Sequence, residues 1–195
     1  MKEIFDLQWQ LNVHTLGNIG LDYGKTIRDP ELKLTWIENY RKALSAELAE
    51  LIREVEAHGI GTQNGKIEVV DMLHFLVSLS HIVHIEPRDA LSALASQDGP
   101  SFDAFAIASF LALDELQNSL KWKWWARGGG FKEDMARNAV MDLWKRFFEA
   151  CAIFGLEFET AKGFYVAKNR VNFKRQDQDY NEDTKTEEDN RSIKV

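Results

Sequence analysis

The chain has 195 residues, with 24 Lys plus Arg against 31 Asp plus Glu and a net charge of -7. That length builds one domain with a sizeable core, and 45% hydrophobic with 28% charged residues excludes disordered and fibrous classes. The acidic balance argues against a general binder of nucleic acid or anionic membranes, and the single cysteine excludes an internal disulfide and a multi-cysteine zinc site.

The opening MKEIFDLQWQLN carries no apolar run of signal-peptide length. The most apolar stretches, 72–85 and 104–113, fall short of the ~18 clean residues that a membrane span needs. The expected setting is soluble, reduced and cytoplasmic. In chain order, residues 3–14 predict a short amphipathic helix with Ile4, Leu7 and Leu11 on one side. Residues 15–30 hold Gly17, Gly20, Gly24 and Pro30 and read as a loop. A long helix follows over 31–57. Residues 58–65 (HGIGTQNG) read as a turn, and 66–85 as a second helix. Pro87 opens a helix over 87–96. Ser101 is the expected N-cap of a helix over 101–123. After the glycines 128–130, helices are predicted over 132–154 and about 157–173. No strand alternation and no internal repeat are present. The expectation is an all-α fold of antiparallel helices, with a domain over 1–173 and a polar tail over 174–195 that a ligand or partner would order.

Two helices concentrate acids. On 31–57, Leu44, Leu48, Leu51 and Val55 form an apolar stripe. Glu47 and Glu50 stand at i, i+3 on one side of it, where like charges repel unless a cation sits between them. A lone pair of this kind reads either as a solvated acidic face or as a cation site. The helix over 66–85 is apolar almost all round, so it should be buried. Yet Asp71, His74, Ser78 and His81 fall within roughly 80° of one another on it, with Glu68 one turn before Asp71. Such a stripe is costly unless its groups are paired or bind something. A short turn makes the two helices neighbours, so Glu47, Glu50, Glu68 and Asp71 make a four-carboxylate set. Hard oxygen donors suit Mg²⁺ or Mn²⁺, and such ions commonly hold phosphates. Metal-assisted phosphate chemistry is the expectation.

Near the C-terminus, Lys168, Asn172 and Arg175 share a helix face at i, i+4, i+7. Cations there fit phosphates, and an amide offers the donor and acceptor that a base edge needs. The alternative is an ordinary cationic helix end. Gln8 and Asn12 form a second amide pair at i, i+4. KWKWWAR, residues 121–127, reads as interface packing with snorkelling lysines, or as a strip that stacks bases or contacts phosphates at the site mouth.

ALSAELAELIRE, then KIEVVDMLHFLVSL, then YVAKNRVNFKRQDQDY followed by EEDN, resemble the dimeric all-α dUTPases of the all-α NTP pyrophosphatase superfamily. LQWQLN resembles their first, base-recognising helix. The resemblance implies Mg²⁺-dependent hydrolysis of dUTP to dUMP and pyrophosphate by a homodimer. Carried over by position, Glu47, Glu50, Glu68 and Asp71 would hold the metal, and Glu47 would also orient and deprotonate the attacking water. Gln8, Asn12 and Asn172 would read the pyrimidine edge. Lys168 and Arg175 would hold phosphates, and His74 and Phe75 would lie by the sugar. Tyr180 and Asn190 would come from a tail closing over the nucleotide. A dCTP-cleaving or less selective enzyme is the near alternative, since an amide flip changes which edge is read. More distant are a ferritin-type dimetal bundle, for which only Asp71-x-x-His74 is available, and a helical protein binding single-stranded nucleic acid through 121–127.

Overall fold

The helix α4 (Gln63–Ile82) explains the architecture. Nearly every face of it is apolar, so it can be stable only when surrounded. In the computed structural model, which describes residues 1–94 and 99–177, it is enclosed by four helices. These are α1 (Lys2–Asn18), α3 (Leu32–His58), α7 (Glu133–Ile153) and α8 (Phe158–Asp177). Val69, Leu73, Val77 and Leu79 of α4 are fully buried. Short helices α2 (Tyr23–Thr26) and α5 (Pro87–Ser92) and the longer α6 (Phe102–Ser119), packed on α7, complete the set. No strand occurs among the described residues, and none of their helices is long and apolar enough to cross a membrane.

The chain reverses between α3 and α4 within four residues, and local chemistry holds that turn. Thr62 caps α4 by accepting the Gly65 N–H at 2.9 Å. Its hydroxyl also donates to Glu54 Oε1 at 2.7 Å, while Asn64 donates to Glu54 Oε2 at 3.1 Å. Those two bonds hold the Glu54 carboxyl below its ordinary range. Gly65 is helical rather than part of the turn. It is needed for another reason: a Cβ there would lie 2.7 Å from the Phe154 ring.

Several ends differ from the sequence reading. The first helix runs on through Gly17 to Asn18. It stops where Gly20 adopts φ 76° and the Leu21 N–H bonds back to the Leu16 carbonyl at 2.9 Å. Residues 23–26, expected in a loop, form α2 because Asp22 caps the Lys25 N–H. The helix capped by Ser101 ends at Ser119, so 121–127 lies outside it. The last helix continues past 173 to Asp177. His14 on α1 bonds Asp177 at 2.9 Å, and Asn18 donates to the Gln176 carbonyl at 3.1 Å, which ties α1 to α8 there.

Candidate active site

Glu47 and Glu50 stand one turn apart on α3 and Glu68 faces them from α4; their carboxylate oxygens lie within 4.8 Å of one another. Glu68 is buried and the other two are half-buried. Three carboxylates in so small a volume raise one another's cost of ionising unless a cation offsets them. An all-oxygen donor set of this type fits Mg²⁺ or Mn²⁺.

Asp71, the fourth carboxylate of the expected set, stands one turn further along α4 but outside that trio. Its Oδ2 accepts from Lys168 Nζ at 2.7 Å. Both partners are buried, so each charge relies on close contact with the other. The expected metal ligand and the expected phosphate ligand are therefore partners in this structure.

A cleft of about 300 Å³ opens beside these groups. Glu47, Glu50 and Asp71 form its acidic end, and Lys168, Asn172 and Arg175 line it from α8. Trp36, Tyr40 and Phe75 make an aromatic wall, with ring centroids 5.4 Å apart for Trp36–Tyr40 and 6.4 Å for Tyr40–Phe75. Gln8, Asn12, His74 and Ser78 form a polar wall. The cleft thus combines acids, cations, amides and flat apolar surface, and can accept a polar aromatic ring joined to a charged group. Tyr180 and Asn190 lie outside the described residues.

The polar wall is internally bonded. Gln8 Nε2 donates to Asn12 Oδ1 at 2.8 Å, and Asn12 Nδ2 donates to Ser78 Oγ at 3.0 Å. Gln8 Oε1 lies 2.9 Å from His74 Nδ1 and accepts the Tyr165 hydroxyl at 2.7 Å. The His74 and Tyr165 rings stack at 4.4 Å. Burial, with the Lys168 charge adding, pushes the His74 imidazole down to about 3, so it is neutral at physiological pH.

A family model described as dUTPase matches residues 1–180. The chain belongs to the dimeric all-α dUTPase family. No curated protein matches it. The family match spans the acid trio, the aromatic wall and the α8 cations alike, so all three belong to one family domain.

Trp36 and Tyr40 in this dUTPase cleft, and Tyr165 buried behind Gln8, are not among the residues expected from the sequence. Trp36 and Tyr40 precede Glu47 by eleven and seven residues, which puts all three on one side of α3. Tyr165, with Lys168, Asn172 and Arg175, follows an i, i+3, i+7, i+10 pattern on α8. Both signals were present as periodicity. Conversely, the polar stripe of α4 divides. Asp71, His74 and Ser78 reach the cleft, whereas His81 packs edge-on against Phe5, Trp9 and Tyr23. Its Nδ1 lies 3.2 Å from the Tyr23 hydroxyl, and burial pushes it down to about 4. Residues 121–127 do not line the cleft. Trp122 and Trp124 each pack edge-to-face on Trp125, and Lys123 sits over the Trp122 ring at 4.8 Å.

Proposed function

We propose that the chain hydrolyses dUTP to dUMP and pyrophosphate with Mg²⁺ as cofactor. The observation that carries this reading is one cleft, lined by Glu47, Glu50 and Asp71 with Glu68 beside the first two, that also holds two cations and a bonded amide wall in a chain of the dUTPase family. Glu47, Glu50 and Glu68, with Asp71, are the residues that would hold the ion. Bound there, the ion would offset phosphate charge and polarise the scissile phosphate. Glu47 orients the attacking water and takes its proton, and its half-buried place at the cleft edge supports that role. Water oxygen bonds to phosphorus as the bond between the α- and β-phosphates breaks, and pyrophosphate leaves. Lys168 and Arg175 hold the phosphates, Lys168 exchanging Asp71 for the anion. Gln8, Asn12 and Asn172 read the base, and His74 and Phe75 flank the sugar.

The homodimer that the resemblance implies needs an apolar face to bury. On α6, Ile107, Phe110 and Leu111 each stand more than half exposed at i, i+3, i+4, which supports that assembly.

The test is pyrophosphate release from dUTP with Mg²⁺, compared with dCTP, dTTP, dATP and dGTP. Glu47→Ala and Asp71→Ala variants that retain their helical signal should lose at least about a hundredfold in kcat. Unchanged turnover in those folded variants overturns the assignment.

A further inference from the structure

An amide side chain reads a base edge only if its oxygen and nitrogen are held one way round. What holds them is visible in the bonded wall. Its anchor is the His74 backbone carbonyl, which can only accept. Ser78 Oγ donates its proton there at 2.9 Å, the i−4 back-bond common for serine in helices. With that proton committed, the Asn12 group 3.0 Å from Ser78 Oγ must donate, so it is the NH₂. Asn12 Oδ1 then faces Gln8, whose Nε2 donates to it at 2.8 Å. Gln8 Oε1 consequently faces His74 and Tyr165, and both of them must donate.

Tyr165 is suited to that task. Its hydroxyl is 2.7 Å from Gln8 Oε1 and 3.4 Å from the Ile4 carbonyl, so the shorter contact takes the proton. Burial raises the phenol well above its ordinary range, so the proton stays on. His74 carries its proton on Nδ1, leaving the Nε2 lone pair in the wall, where it has no hydrogen-bond partner among the described residues.

We propose that Tyr165 is a positioning residue for base recognition. Its hydroxyl, with Ser78 at the other end of the chain of bonds, occupies both lone pairs of Gln8 together with His74. Gln8 can then offer a base only a donor. A pyrimidine with a 4-carbonyl group satisfies that donor, and one with a 4-amino group meets it with hydrogens of its own. The selectivity thus resides in the bonds behind the amide rather than in the amide itself. Without the Tyr165 hydroxyl one lone pair of Gln8 Oε1 is left open as an acceptor, and the amide is held one way round by Asn12 and His74 alone. The proposal deepens the dUTPase reading and rests on it.

The experiment compares wild type with Tyr165→Phe, which keeps the ring stacked on His74 and removes only the hydroxyl. Turnover of dUTP and dCTP is measured with Mg²⁺, and binding of dUMP and dCMP is measured by calorimetry. The expected result is a dUTP:dCTP ratio of kcat/KM that falls at least about tenfold in Tyr165→Phe, carried by KM with kcat little changed. The dUMP:dCMP affinity ratio should fall in parallel. If Tyr165→Phe fails to fold, Ser78→Ala, at the other end of the network, should show the same loss. Nitrogen-15 NMR of His74 should show the Nδ1–H tautomer. An unchanged selectivity ratio in a folded variant overturns the proposal, as does an Nε2–H tautomer. Should wild type hydrolyse no nucleotide yet bind dUMP over dCMP through Tyr165, the enzymatic reading falls and the positioning role stands.

Discussion

At the scale of single residues, burial decides protonation. His81 sits among Phe5, Trp9 and Tyr23 and stays neutral down to about 4, against an ordinary value of 6.5. Between those values the unfolded chain binds a proton there that the folded chain does not. The stability contributed by the neutral ring is therefore full above 6.5 and is lost as pH falls toward 4. One such group adds a slope of ~1.4 kcal/mol per pH unit inside the window. His74 adds the same sign, extending to about 3. Urea titrations across this range should show His81→Phe with a shallower loss of stability on acidification than wild type, whatever its offset at neutral pH. Equal slopes would place the His81 proton elsewhere. Burial also separates two histidines one stripe apart in the sequence. His74 meets Gln8 and Lys168 at the cleft, while His81 meets ring edges, the Tyr23 hydroxyl, the Phe5 backbone and the Asp6 charge. Helical spacing alone does not distinguish them, because their neighbours come from other helices: Gln8, Phe5 and Trp9 from α1, Tyr23 from α2 and Lys168 from α8.

At the scale of elements, the α3–α4 turn is the joint on which the acid trio depends. Glu54, Thr62 and Asn64 hold the reversal that sets Glu68 against Glu47 and Glu50. Gly65 lets α4 approach α7 closely, because a Cβ would meet Phe154 Cε1 at 2.7 Å and Thr62 Oγ1 at 3.1 Å. Alanine in place of glycine favours a helix by ~1 kcal/mol. The overlap costs ~1–3 kcal/mol. Gly65→Ala is expected to be destabilised by about 1 kcal/mol, a fall of roughly 2–4 °C in the melting temperature. A rise would mean that the Phe154 ring moves aside at little cost. The helix order was legible in the sequence from apolar spacing, Ser101 and Pro87. The ends were less so. Gly17 resembles a stop but is exposed in a helix that ends on the positive φ of Gly20. Lys121 and Lys123 resemble a helix continuation but follow a chain that turns out after Ser119.

At the scale of the whole molecule, the apolar side of α6 is one exposed feature among the described residues. Ile107 and Phe110 are each 64% exposed, and Leu111 is 55% exposed. If these residues are the homodimer contact, Phe110→Glu should convert the dimer into a folded monomer. Sedimentation velocity reads this directly, with circular dichroism confirming that the helices persist. A wild-type monomer would remove the homodimer from the reading. A Phe110→Glu dimer would move the interface to another face.

The sequence by itself determined the all-α class, the buried character of α4 and the grouping of acids on α3 and α4. Each of these follows from residue spacing on one or two adjacent helices, and spacing is local information. The four-segment motif likewise carried the family resemblance. Only the tertiary structure decided which carboxylates meet. It drew Glu47, Glu50 and Glu68 together and paired Asp71 with Lys168, ninety-seven residues away. It also brought Tyr165 behind Gln8 and set Trp36 and Tyr40 in the same cleft as the amides. The reason is that α8 returns to pack on both α1 and α4. Contacts between residues so distant in sequence depend on how helices cross, and helical periodicity carries no record of the crossing.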